Sequence, residues 1–378
     1  MKNFPLFKVH VSADDAIKEA KKVLESGFLN EGEQVSILQE GLKKYLGENL
    51  VLVNSCTSAI HLALHLCDIS PGDEIITTPM TCVASNTPII AHGARPVWAD
   101  IDPETGMISP ESLRSSITDR TRAVIYVAWA GNLGDIEEIQ KICREREIPL
   151  ILDAAHAFGA KIELDKIRPI SDIVDYTCYS FQAIKHFTTG DGGALVCNTP
   201  ELSRAKRLKW FGLDRDAAKD EKGNWKGQQW DIDIEEPGYK FNMNNLSAAI
   251  GLSQLPFIDE ILRKHESNSK IYDGIFENTH VKALRRSKKE MSSRWVYTVR
   301  THLRGDEKLH AIKALNEMGI AAGLVHVPND IYSCFSDYRK DLPGLREFET
   351  TQFSIPCGWW LNEEDVYFIA EKVKEITK

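Results

Sequence analysis

The sequence predicts an α/β fold built on a large, mostly parallel sheet, and three observations carry that prediction. Short apolar, β-rich runs alternate with helical patterns through the first half of the chain, the order that produces parallel strands covered on both faces. The polar residues that stand out, at 55–58, Asp153 and Ser180, fall just where those runs end, the edge at which such sheets collect ligands. A length of 378 residues exceeds what one hydrophobic core organises, so a second, smaller unit is expected.

The elements follow in chain order. Residues 49–54 (NLVLVN) form a short strand, SCT a turn, and 58–66 (SAIHLALHL) a helix with one apolar face. Pro71, Gly72 and Asp73 make a turn before the strand EIITTP, and RPVWAD and RAVIYVAW are further strands. In 135–147 (DIEEIQKICRERE), Ile136, Ile139, Ile142 and Cys143 recur at helical spacing as a buried stripe. IPLILD is a buried strand ending in an acid, and VDYTCYSF is another. Residues 214–237 have no period and are rich in Asp, Lys, Gly, Gln and Trp, which predicts a long exposed loop of the kind that is often functional. Long helices follow from 244 despite Pro256. A smaller C-terminal α/β domain then contains the strand RWVYTVRTHL, a helix ending at Gly319 and the terminal helix NEEDVYFIAEKVKEITK. The division read from these patterns is a large domain over 1–250, with its N-terminal segment, and a small one over 251–378.

Composition excludes several classes. The net charge of −9 argues against nucleic acid as a partner, and Lys206, Arg207 and Lys209 read as a solvated helix face. The eight cysteines show no CxxC spacing, so neither a zinc site nor a dithiol motif is indicated, and most read as buried free thiols of a reducing compartment. No apolar stretch is long enough to span a bilayer, and the N-terminus has no secretion signal. The expected location is the cytoplasm.

Four segments carry the candidate chemistry. Ser55, Cys56, Thr57 and Ser58 stand between a strand and a helix, where small hydroxyl residues cap the helix and first-turn N–H groups suit a phosphate. Asp153, at a strand end three residues before His156, is either a turn cap or a buried carboxylate that needs a cationic partner. A protonated pyridine nitrogen is one such partner, because that proton makes a pyridoxal ring an electron sink. Lys185 lies between apolar strands and a turn containing Gly190, Gly192 and Gly193. It is either an exposed turn lysine or an amine made nucleophilic by desolvation, with glycines that let the backbone turn tightly beside a ligand. This string is not GxGxxG, so a dinucleotide site is not indicated. The fourth segment, GYKFNMN around Asn242, reads alone as a loop and helix cap.

Taken together, VNSCTSAIHLAL, LDAAHAFGA, CYSFQAIKHFTTGDGGALV and GYKFNMNNLSAAIGLSQL resemble the signature segments of the DegT/StrS family of sugar aminotransferases that use pyridoxal 5′-phosphate (PLP). GFLNEGEQV and GIAAGLVHVPND extend the resemblance over nearly the whole chain. It implies the PLP-dependent transferase fold of type I, a homodimer and active sites shared between subunits. Lys185 matches the lysine that forms a Schiff base with PLP and, once freed, moves the substrate proton. Asp153 matches the acid paired with the pyridine nitrogen, and His156 a residue that meets the ring hydroxyl. Ser180 and the amides of Thr57 and Ser58 match phosphate ligands. Asn242 matches an asparagine that reaches the phosphate of the neighbouring subunit's cofactor.

The implied reaction takes nitrogen from glutamate or glutamine, leaves the cofactor as pyridoxamine phosphate, and passes the nitrogen to a keto sugar on a nucleotide. A 3- or 4-keto-6-deoxyhexose, in amino-sugar synthesis for a surface polysaccharide or glycosylated product, fits that description. His326 and the 214–237 loop are the candidate sugar contacts; His326 reads equally as an ordinary histidine. Three features depart from the family pattern. Cys56 stands where Gly is usual, and Cys82 where many members place an aromatic that stacks on the cofactor ring. Asn132, Leu133, Gly134 and Asp135 replace a Pro-containing turn. Two other readings stay open. One is a deoxysugar dehydratase, which Lys185 opposes because those enzymes carry His there. The other is a non-catalytic PLP or sugar sensor, since a fold does not fix a function.

Overall fold

The structure, a computed structural model, describes residues 2–214, 231–292 and 294–378. Its centre is a seven-stranded sheet in the order Leu50–Val53, Gly193–Cys197, Tyr176–Ser180, Leu150–Asp153, Thr121–Val127, Glu74–Thr77, Arg95–Trp98. Every strand runs parallel except Gly193–Cys197, which is antiparallel to both its neighbours. The mostly parallel sheet expected from sequence is therefore present. The reversed strand, inside GGALVCN, has a simple cause: no helix separates it from Tyr176–Ser180, and a parallel return would need a crossover.

Alternate residues point to opposite faces, and both faces are buried. Val51, Val53, Ile75, Ile125, Ile151 and Leu195 face one core; Leu50, Leu52, Ile76, Val124, Leu150 and Leu152 face the other. The helix Cys56–Leu66 begins where Ser55 Oγ accepts the Ser58 amide at 3.0 Å. The helix Ile136–Glu145 buries Ile136, Ile139, Ile142 and Cys143 as their spacing indicated.

A three-stranded antiparallel sheet, Lys282–Ala283, Tyr297–Arg300 and Gln352–Ile355, organises a third core with the helices Ile258–Phe276 and Glu363–Ile376. Pro256 sits in a 3₁₀ turn between the helices Asn245–Gln254 and Ile258–Phe276, a place where its missing N–H costs no helical bond. The packing units exchange segments. Phe4 is buried in the third core and donates its N–H to Gly319 O at 2.7 Å, whereas Phe335, Leu345 and Phe348 join the core of the large sheet. Residues 215–230, most of the expected long loop, lie outside the described residues. No helix among the described residues is long and apolar enough to cross a membrane, and no group of His, Cys, Asp or Glu among them is arranged to hold a metal.

Candidate active site

Asp153 ends its strand beside Val127 and Cys178 and is only 5% exposed. Ser85 Oγ donates to its Oδ2 at 2.6 Å, the Ala155 amide to Oδ1 at 3.0 Å, and the Cys56 thiol makes a longer contact of 3.9 Å. Ser85 is itself tied to Thr81 Oγ1 at 2.8 Å. Burial pushes the Asp153 carboxyl above the usual carboxylate range, against the opposing pull of the Ser85 and Ala155 hydrogen bonds and the Lys185 charge. A cation is what this carboxylate lacks.

Lys185 sits on the loop that joins Tyr176–Ser180 to the reversed strand. Burial lowers its amine from 10.5 to about 8, with Asp153 the largest opposing influence. Its Nζ lies 3.5 Å above the ring of Trp295. That indole stacks on His156 at 4.1 Å and on Phe7 at 4.6 Å, and its Nε1–H donates to Ile184 O at 2.8 Å.

His156 accepts the Ala130 amide at Nδ1 (3.3 Å), which leaves the imidazole proton on Nε2. That atom faces Nε2 of His326 at 3.5 Å, and the two rings stack with only 8° between their planes. Burial and the nearby Lys185 charge hold His156 well below its ordinary value and His326 at about 4, so both are neutral at pH 7.

These groups line one cavity of about 360 Å³, together with Cys56, Thr57, Cys82 and Ser180, a size suited to a small cofactor or ligand. Thr57 and Cys56 supply first-turn amides of a helix, which have no intrahelical acceptor. Gly193 lets the reversed strand approach that helix start: a Cβ there would meet Cys56 N at 2.7 Å and Tyr179 O at 2.6 Å.

Two residues named from sequence lie off this wall. Ser58 is not among the lining residues; its amide is taken by Ser55 Oγ and its hydroxyl donates to Asn54 Oδ1 at 2.6 Å. The Ser58 amide is thus already engaged by its own helix cap, whereas Cys56 and Thr57 line the cavity. Asn242 bridges to Val53 and donates to Asn30 Oδ1 at 3.2 Å, outside the cavity of its own chain. Sequence reading missed Ser85, Gln182, Asp191, Trp295 and Phe7, all of which line the wall, and Ser85 also touches Asp153. Nothing in the linear pattern links Trp295 to a lysine 110 residues away.

Fold and cavity define an α/β enzyme site built on a half-buried amine and a buried carboxylate. The chain belongs to the DegT/DnrJ/EryC1/StrS aminotransferase family, whose model matches residues 11–374. It is 30% identical over 380 residues to the UDP-4-amino-4,6-dideoxy-N-acetyl-beta-L-altrosamine transaminase of Helicobacter pylori, covering 99% of this chain and 97% of that protein. The crystal structure of the sugar aminotransferase CalS13 from Micromonospora echinospora superposes with a TM-score of 0.89 at 33% identity, over 98% of this chain and 99% of that one. The PLP form of a putative sugar aminotransferase, Spr1654 from Streptococcus pneumoniae, superposes with a TM-score of 0.88 at 26% identity, over 100% and 99%. The α/β aminotransferase architecture expected from the motifs is thus the one observed.

Proposed function

We propose that this chain is a PLP-dependent sugar aminotransferase that moves nitrogen from glutamate or glutamine to a nucleotide-linked 3- or 4-keto-6-deoxyhexose, acting in amino-sugar biosynthesis. The observation that carries the reading is that the Lys185 amine and the Asp153 carboxylate line one cavity at the strand ends. The family membership, and a relative named as transaminase for a UDP-linked 4-amino-4,6-dideoxy sugar, support it.

The residues fit the cofactor. Asp153, buried without a full cationic partner, suits a protonated ring nitrogen; Lys185 suits covalent attachment; the amides of Cys56 and Thr57 and the hydroxyl of Ser180 suit the phosphate. Cys82 offers a thin wall where family members place an aromatic. When bound, PLP supplies an electron-withdrawing ring that stabilises negative charge at the donor α-carbon. Lys185 Nζ, depressed towards neutrality, takes the α-proton and returns it on the neighbouring carbon. Asp153 would hold a proton on the ring nitrogen. His156 Nε2–H, which faces His326 in this structure, would serve a ring hydroxyl, and His326 would contact the sugar. Remote contacts to the nucleotide orient the sugar. A homodimer that brings the partner's copy of the Asn242 segment to the cofactor phosphate, and a cytoplasmic location, complete the reading.

The test incubates purified protein with PLP, glutamate and a panel of nucleotide-linked keto sugars and reads product mass. A gain of nitrogen on the sugar with 2-oxoglutarate released is expected. A deoxysugar product, or PLP uptake with no transfer to any of the panel, refutes the reading.

A further inference from the structure

We propose that Trp295 is a positioning residue for Lys185: its indole face is where Nζ rests whenever that amine is not bonded to cofactor. This rests on the aminotransferase reading, in which the amine is free for part of every cycle.

Nζ lies 3.5 Å from the ring centroid, well inside the reach of a cation–π contact, and Lys185 is half-buried, which strengthens such a contact over an exposed one. Trp295 is 3% exposed and fixed on several sides. Phe7 and His156 stack on it, its Nε1–H reaches the carbonyl of Ile184, next to the lysine, and its own amide donates to Ala130 O at 3.0 Å. A plain core tryptophan would satisfy its N–H anywhere; this one is bonded to the lysine's own loop. The arrangement answers a specific need. A freed amine with a long flexible stem must stay within reach of the α-proton instead of swinging away, and its ammonium form must be tolerated in a largely apolar cavity between taking the proton and returning it. The π face does both without a second carboxylate, which would compete with Asp153.

The prediction concerns a titration, so the neighbours matter. The ionisable groups that share the cavity with Nζ are Asp153, Asp191, Cys56, Cys82, His156 and His326, and His186 adjoins it in the chain; of these His156 stacks on Trp295, and burial keeps it neutral. The π face favours the ammonium form, so removing it lowers the pH at which the amine becomes reactive, by about half to one and a half units.

The experiment uses the full chain stripped of cofactor. Carbamylation by cyanate is followed from pH 6 to 10, and the rate at Lys185 is read by peptide mass spectrometry. Trp295→Leu is expected to move the midpoint down by that amount, and Trp295→Phe, which keeps a ring but loses the bond to Ile184, to retain most of the wild-type midpoint. If Trp295→Leu does not fold, biosynthetic replacement of tryptophan by progressively fluorinated tryptophan keeps the shape while weakening the π face; the midpoint should then fall stepwise. An unchanged midpoint in the leucine variant, or across the fluorinated series, overturns the proposal. Failure of the wild-type chain to take up PLP would instead overturn the function and leave this comparison decisive for Trp295.

Discussion

Replacing Asp153 by asparagine separates chemistry from folding, because the two effects have opposite signs. In the folded chain the carboxyl is pushed above its ordinary value, chiefly by burial. The folded state therefore holds the proton more tightly than the unfolded one, and ionising Asp153 at neutral pH costs the fold free energy. Asparagine removes that cost. Its amide also fits the existing partners: Oδ1 still accepts from Ala155, while the NH₂ group donates to Ser85 Oγ, whose own proton turns to Thr81. The melting temperature should stay level or rise. Turnover should collapse, because the ring proton loses its counter-charge. Breaking a buried ion pair costs about 3–5 kcal/mol, which corresponds to roughly a hundredfold to several thousandfold in rate. Steady-state transamination beside a thermal melt at pH 7.5 reads both. Wild-type turnover combined with a lowered melting temperature would show that the carboxylate is structural and would remove the electron-sink argument.

Other outcomes are expected on the same footing. Lys185→Ala should abolish turnover and the visible absorbance that PLP acquires on covalent attachment, at unchanged PLP stoichiometry by mass under non-denaturing conditions; retained transamination would displace Lys185 from its role. His265 and His326 are both lowered to about 4 from 6.5 by burial. The unfolded chain thus binds their protons first as pH falls. Their contribution to stability should be flat from pH 6.5 to 8 and decline from 6.5 towards 4, and chemical denaturation at a series of pH values checks the slope. Gly193→Ala places a Cβ against the backbone of Cys56 and Tyr179. A loss of about 2–3 kcal/mol in stability, with weakened PLP affinity, is expected from denaturant titration and fluorescence.

Much of this was legible in the linear pattern, for reasons that differ by residue. The parallel strands of the large sheet could be read because each is a short apolar run bounded by turn residues, and the stripe from Ile136 to Cys143 because helical spacing is local. Lys185, Asp153 and Thr57 could be placed because strand ends and helix starts define where a doubly covered sheet binds ligands. Ser58 could not: whether an amide is free or spent on its own cap depends on the Ser55 side chain, a matter of rotamer. The reversed direction of Gly193–Cys197 was equally hidden, since an apolar run has no polarity. Phe7, Trp295 and His326 reach the cavity from segments far apart in sequence, and only tertiary packing joins them.

That reversed strand has a further consequence. The lysine loop is clamped at both ends by hydrogen-bonded neighbours in the middle of the sheet, so the floor of the cavity is set by the most deeply laddered part of the molecule. The opposite wall, Phe7, Trp295, Val325 and His326, comes from outside the central sheet. On the proposed function, that wall would set the size of sugar the site takes, which makes substrate size a property of how the first few residues and the last third of the chain pack against the sheet and leaves the reacting atoms where they are.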